Sequence, residues 1–306
     1  SDMVDKVQVY EKKSEQAERT GVDDGTRIQT INVKLKEDAK NGSFGKAELA
    51  GGVGDKKEYY MGKLAYNKFK GSFKLGAYLM GSTDGKFSLS WQEQEKFNMS
   101  DTESGMTSDG GFYMVQNADE FSNWDGKGHP KAISLGASVM DAWKDKKHKL
   151  NASYKFARIE NDVFENTLIQ NATNEGIINT DKNQNSGSDA NKHRMNAKYD
   201  FAIDSLSTLT LKVSADRTHA DRSTNVDANT WRDGTLASDN TSSQQELSNR
   251  TNLTYNAFFT RKLKKEGRSI ALTFAGSNAE RNNELQLMSE LNNRITSRRD
   301  TVDQFK

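Results

Sequence analysis

Short runs in which apolar and polar residues strictly alternate recur along this chain, and the connections between them are by turns very short and very long. Leu209, Leu211, Val213 and Ala215 alternate with Thr208, Thr210, Lys212 and Ser214, the two-residue period of a β-strand with one apolar and one polar face. The same period carries Phe73, Leu75, Ala77 and Leu79, then Leu150, Ala152, Tyr154 and Phe156, then Met195, Ala197, Tyr199 and Phe201, then Leu253, Tyr255, Ala257 and Phe259. Their polar partners include Lys63, Lys74, Asn151, Lys155, Asn196, Lys198 and Asn256. Alternation alone suits two structures. In a soluble sandwich the polar set meets bulk water; in a large barrel it lines an aqueous lumen while the apolar set meets lipid.

The connections narrow the choice. Asn67 to Ser72, Asp145 to Lys147, Asp204 to Ser207 and Lys264 to Gly267 are tight, charged or Gly-containing returns that close antiparallel hairpins. Between them lie long polar stretches at 82–130, 160–191, 218–248 and 282–301, read as loops. Structureless loops of that size are uncommon in compact soluble domains. Short returns on one side and long loops on the other are the signature of an outer-membrane β-barrel. Phe69, Phe73, Trp143, Phe201, Phe258 and Phe259 lie within a few residues of the short turns, where an interfacial aromatic girdle belongs. The expected fold is all-β, an antiparallel up-and-down transmembrane barrel wall of about nine strands, in the bacterial outer membrane with lipid as partner. An ordinary soluble β-sheet protein is the alternative, with these aromatics as core.

Composition agrees with either. A hydrophobic content of 33% is low for one large core in 306 residues, and a barrel with a wet interior needs none. With mean hydropathy at -0.89, no stretch approaches the apolar run of a membrane-spanning helix. The chain has no Cys, so disulfide frameworks and thiol chemistry are excluded. Its one Pro, Pro130, suits a sheet-dominated chain. Basic and acidic side chains balance at 44 to 43, which argues against nucleic acid as a partner.

The first forty residues are organised differently. Val4 to Tyr10 reads as a strand, Ser14 to Gly21 as a polar turn or short helix, and Thr30 to Lys36 as a second strand. Val4, Val7, Val9, Gly21, Ile31 and Asn32 stand where the end of the plug domain of TonB-dependent outer-membrane receptors has a V-E-x-I-E-V strand, a Gly and an I-N-I strand. The segment thus resembles that family. Glu11 to Ala17 departs from it, replacing the Arg-Gly-Pro turn of siderophore receptors. The run from Lys12 to Gly25 is similar to a K-K-S-x-Q-A-x-x-T-G-x-D-D-G run in a divergent branch of outer-membrane β-barrel proteins. The resemblance implies that 1–40 is the end of a plug and 41–306 the first part of a barrel. It also implies a parent of about 22 strands of which this chain is a fragment, and, where import is energy-coupled, the TonB complex as a partner.

Catalytic patterns are sparse. His129, His148, His193 and His219 show no H-E-x-x-H or Cys-His spacing. His219 with Asp221, and Asp221, Asp227, Asp233 and Asp239 at six-residue intervals, read as solvated side chains rather than metal ligands. Gly51 to Lys56 lacks the G-K-[ST] ending of a phosphate loop and reads as a hairpin. No Ser stands in a nucleophile elbow. The expectation is a non-enzyme without metal or cofactor, binding an unidentified extracellular ligand through its loops. The stretch 82–130 sets seven aromatics among nine carboxylates and three lysines, and aromatic faces beside carboxylates stack on sugar rings or grip cations. Trp91, Tyr113, Trp124 and Trp231 are the candidate contacts, against packing of loop on loop as the plainer account. Three readings follow: plug-gated, energy-coupled nutrient uptake; a passive or surface-binding barrel; and a soluble all-β binding module.

Overall fold

The structure, a computed structural model, describes residues 4–13, 17, 25, 27–35, 41–54, 57–86, 88–89, 102–106, 112–116, 126–173, 176–265 and 268–306. Apart from Ala17, which is helical, the described residues form strands and turns. The strands are β1 (Val4–Lys13), β2 (Arg27–Leu35), β3 (Asn41–Gly54), β4 (Lys57–Lys70), β5 (Phe73–Ser82), β6 (Thr102–Met106), β7 (Phe112–Gln116) and β8 (His129–Trp143). There follow β9 (His148–Thr173), β10 (Gly176–Ala202), β11 (Ser207–Arg232), β12 (Thr235–Lys262), β13 (Ser269–Asn293) and β14 (Arg298–Phe305).

Ten of these form one antiparallel sheet in the order β14-β13-β12-β11-β10-β9-β8-β5-β4-β3. Each strand pairs with its predecessor in the chain, except that β5 passes over β6 and β7 to pair with β8. This is the up-and-down topology expected from the sequence, with ten strands in place of about nine. The edge strands β3 and β14 do not pair with each other, so the sheet is open. The pairs β1-β2 and β6-β7 are separate two-stranded sheets.

Turn chemistry fixes the register. At the near end of the sheet lie the returns at 71–72, 144–147, 203–206 and 263–268. Lys144, Asp145 and Lys146 take left-handed φ values of 51, 56 and 64°, and the Lys147 N–H donates to the Lys144 carbonyl at 3.1 Å. The Asp204 carboxylate accepts from the Leu206 and Ser207 N–H groups at 2.8 and 2.6 Å, an Asx turn that reverses the chain at once. Those backbone donors hold its carboxyl below the ordinary aspartate value. At the far end, Asp233 and Gly234 have φ of 47 and 83°, the two positive values a two-residue type I′ hairpin requires. Asn293 closes the last tip, accepting from Ile295 and Thr296 at 3.1 and 3.0 Å.

The expected loops at 160–191, 218–248 and 282–301 are corrected by the structure: each is two strand halves meeting in a tight tip. Strands β10 and β12 run for 27 and 28 residues, roughly 90 Å at the usual rise. Polar side-chain ladders replace apolar packing in these extensions. Asn166 donates to Asp181 and to Asn183, both at 2.8 Å, and Gln170 to Asn179 at 3.0 Å. Thr180 meets Thr230 at 3.2 Å and Ser186 meets Thr224 at 3.3 Å. Such cross-strand pairs contribute roughly 0.2–1 kcal/mol each. Gly51–Gly54 lies within β3, paired with Lys57 to Tyr60, so this Gly-rich segment is one arm of a hairpin.

Candidate functional site

Register decides which side chains share a face. Phe201, Tyr199, Ala197 and Met195 of β10 stand opposite Leu209, Leu211, Val213 and Ala215 of β11, and opposite His148, Leu150, Ala152 and Tyr154 of β9. On β12 the same rows continue as Phe259, Ala257, Tyr255 and Leu253, and on β13 as Leu272, Phe274 and Gly276. Towards β3 they continue as Val139, Ala137 and Leu135, then Leu75, Ala77 and Leu79, then Tyr66 and Leu64. The alternations of the separate segments thus fall at one height. They form a continuous apolar belt beside the near-end turns, about ten residues tall. Beyond Arg158, His193 and Arg217 the same face turns mostly polar, with Phe164 and Leu168 of β9 exposed among the polar side chains.

The belt is the open face of the sheet. Leu79, Ile133, Met195 and Leu211 are 47, 53, 47 and 39% exposed, whereas Ser134, Ser138, Lys155 and Thr210 on the opposite, polar face are 2, 3, 4 and 2% exposed. This inverts the arrangement of a water-soluble sheet, whose apolar face is the covered one. The buried apolar cluster is small. It holds Ala65, Tyr78, Met80 and Leu89, with Phe44 and Met61 packed against it, and its sheet residues lie on the polar face. On that face Tyr78 lies across Gly136, its direct cross-strand partner, where a Cβ would run into the ring.

Aromatic side chains mark both rims of the belt. At the near end Trp143 stacks on His148 at 5.4 Å and 5° between planes, and His148 on Phe201 at 4.7 Å and 14°. The Tyr199 hydroxyl lies 2.6 Å from His148 Nδ1. At the upper rim His193 meets Phe156 at 4.9 Å, with Nδ1 2.8 Å from the Tyr154 hydroxyl. Of the six expected girdle residues, Phe73, Trp143, Phe201 and Phe259 share the belt's face. Phe69 and Phe258 belong to the opposite face, Phe69 opposite Lys74 and Phe258 opposite Thr210, because each is an odd number of residues out of step. Sequence reasoning assigned no girdle role to His148, Tyr199 and His193. Their cross-strand neighbours were the missing signal.

At the far end the hairpin tips lock together. The Asp233 N–H donates to the Ile177 carbonyl at 3.0 Å and its carboxylate accepts from the Ile177 N–H at 2.9 Å. Gly176, at φ 121°, leaves the room: a Cβ there would overlap the Asp233 carboxylate. Asp239 pairs with Arg294 and accepts from Asn292 at 2.9 Å, and Glu290 accepts from Arg299 at 2.6 Å and Asn292 at 3.1 Å. Arg294 and Asn292 hold the Asp239 carboxyl below its ordinary value, and Asn292 and Arg299 do the same for Glu290.

Of the predicted contact residues, Trp231 is half-buried at this end, opposite Asn179 of β10 and Leu236 of β12, beside a register shift at Thr230/Trp231. Tyr113 lies on β7 opposite Gly105. Trp91 and Trp124 fall outside the described residues. Trp231 belongs to a strand end, not to a loop. Of the six-residue aspartate series, Asp221 and Asp227 lie on β11, Asp233 in the tip and Asp239 on β12. Among the described residues no three His, Asp or Glu side chains converge as a metal-binding group. Neither a known protein family nor a curated protein matches this sequence.

Proposed function

We propose that the ten-stranded sheet is part of the wall of an outer-membrane β-barrel receptor, with the belt against lipid and the polar face towards an aqueous lumen. The observation that carries this reading is the exposed, register-aligned apolar belt, opposite a polar face that is the more enclosed of the two. Its height matches the ~9–11 residues a tilted strand needs to cross the apolar core. The His148 and Phe156 rims lie eight residues apart on β9, roughly 26 Å along the strand. Interfacial aromatics at both levels suit that spacing. The near-end turns then face the periplasm and the long β9–β13 extensions project outside. Lipid tolerates no unpaired strand edge, so the reading requires β3 and β14 to find partner strands.

Within this reading the chain serves ligand capture outside and plug-gated nutrient uptake, as the likeness of Val4 to Lys36 to the end of a receptor plug suggests. The test is a pair of single-cysteine variants, Leu211→Cys and Lys212→Cys, labelled with a fluorophore in protein folded into vesicles. Brominated lipid quenches the label at 211 and spares 212, and aqueous iodide does the reverse. Equal iodide quenching at both, with no effect of the lipid, returns the chain to the soluble β-sheet reading.

A further inference from the structure

Two exposed arginines stand at the upper edge of the belt, and their surroundings differ. Arg158 of β9 is neutralised within the sheet: its guanidinium lies 2.8 Å from Glu160 and 2.6 Å from Asp189. Arg217 of β11 has other neighbours. Directly across from it are His193 of β10 and Thr251 of β12. One step towards the near end the same face carries Ala215, Met195 and Leu253, and one step beyond it carries Asn191, His219 and Asn249. None of these positions holds a carboxylate. The next acids on this face, Asp189 and Asp221, stand in the second row above, and Asp189 is already held by Arg158. Asp221 is four residues along the strand from Arg217, roughly 13 Å.

Position and chemistry together select a ligand for this cation. Apolar side chains on one side of Arg217 and polar ones on the other match the two halves of a lipid, acyl chain and headgroup. The row of Ala215, Met195 and Leu253 is continuous with the belt, so chains lying on the belt bring a headgroup to the height of the guanidinium. A guanidinium presents paired N–H groups that fit a phosphate. The Tyr154 hydroxyl lies 2.8 Å from His193 Nδ1; with the hydroxyl as donor, the exposed ring keeps an Nε2–H for a second phosphate oxygen. Thr251, also exposed, adds a hydroxyl on the other flank.

We propose that Arg217, flanked by His193 and Thr251, is a headgroup site for a phosphorylated anionic lipid whose acyl chains lie on the belt. The site rests on the barrel-wall reading and adds to it a choice among lipids. The experiment places a fluorophore on Leu253→Cys, diagonal to Arg217, in protein folded into phosphatidylcholine vesicles. Quenching by dibrominated phosphatidic acid is compared with quenching by dibrominated phosphatidylcholine at equal mole fraction. Leu150→Cys, at the near rim of the same face, is the control label. One basic side chain at a membrane surface favours an anionic lipid by about fivefold, so phosphatidic acid should quench the Leu253 label at about one-fifth the mole fraction that phosphatidylcholine needs. Arg217→Gln should abolish that preference, Arg217→Lys should keep part of it, and Arg158→Gln should leave it unchanged. Arg217 is exposed, and surface substitutions change stability little, so a lost preference is not lost folding.

Equal quenching by the two lipids at the Leu253 label overturns the headgroup site and leaves the barrel wall standing. A preference that survives Arg217→Gln, or that the Leu150 label shows equally, also overturns it, since the lipid is then held elsewhere or by overall charge. Loss of the preference in excess inorganic phosphate overturns the lipid as occupant, the bare anion taking its place. No quenching by either lipid at either label removes the barrel reading, and the headgroup site with it.

Discussion

Placing an arginine in the belt separates a lipid-facing sheet from a water-facing one by both magnitude and depth. Leu211 stands between Tyr199 and Ala257. It lies within a residue of the midpoint between Ser207 at the near-end turn and Arg217 at the upper rim, about 3.3 Å along the strand from it. Arginine at a bilayer midplane costs about 2–4 kcal/mol, falling to about 0–1 near the interfaces. Leu211→Arg should therefore reduce the folded-to-unfolded ratio by roughly thirty- to several-hundredfold. Phe164→Arg is the control. It occupies the same face and is more exposed, at 67%, but lies above the belt opposite Asn185, so its cost should stay below about 1 kcal/mol. In water the order has no reason to exist, because replacing half-exposed Leu211 at a solvated surface costs only about 0.5 kcal/mol. The assay is urea titration of protein folded into phosphatidylcholine vesicles, followed by tryptophan fluorescence, with unchanged slope as the two-state check. Equal midpoints for the two variants would refute the lipid-facing assignment.

Gly136→Val pushes a side chain into the Tyr78 ring and should cost about 1–3 kcal/mol; in a denaturant double-mutant cycle, adding Tyr78→Ala should recover part of that loss. Asp233→Ala removes the acceptor of the Ile177 N–H, and hydrogen exchange at that amide should accelerate about five- to tenfold while amides in the belt hold. Asp239 and Glu290 both have carboxyls held below their ordinary values of 3.8 and 4.5, so their contribution is complete above those values and is lost as pH falls through the lower folded-state ones. Hydrogen exchange at the Arg294 amide, which donates to Ala237 at 2.9 Å, should rise below about pH 4 after correction for intrinsic rate, and Asp239→Asn should remove that pH dependence.

The belt is legible in the sequence because hydrophobic periodicity reports on the half of a strand that has an apolar face. Leu209 to Ala215 and Met195 to Phe201 announce themselves by alternation, and the near-end returns by Asp204 or by Gly71. The extensions pass for loops because Asn179 to Asp189 is polar on both faces and Asp221 to Asn229 is broken only by Val226 and Ala228, which leaves too little period to detect. One local signal is present all the same. Asp233-Gly234 is among the strongest two-residue hairpin pairs, and taking it as a tip turns 218–248 into two strands. Face assignments such as those of Phe69 and Phe258 need the register, which depends on turn geometry that composition does not specify.

The far extensions have no claim to stability by themselves. Asn, Asp and Gly are poor strand formers, and between Ile178 and Ala190 the stretch contains little besides these and serine apart from one lysine, a threonine and a glutamine. Its backbone ladder is complete on both sides, but a ladder exchanges water's hydrogen bonds for the protein's at little net gain. Register for such strands is set from outside. The belt supplies it at one end, where a one-residue slip would turn every apolar side chain to the polar face. The interlocked tips supply it at the other, where Asp233 grips Ile177 and Asp239 grips Arg294. The polar span between is ordered because both its ends are fixed. Stability should therefore be lowest midway along the extensions. A surface built this way can vary its side chains without endangering the fold, since no apolar packing depends on them. That is the freedom a recognition surface carried on a rigid wall needs.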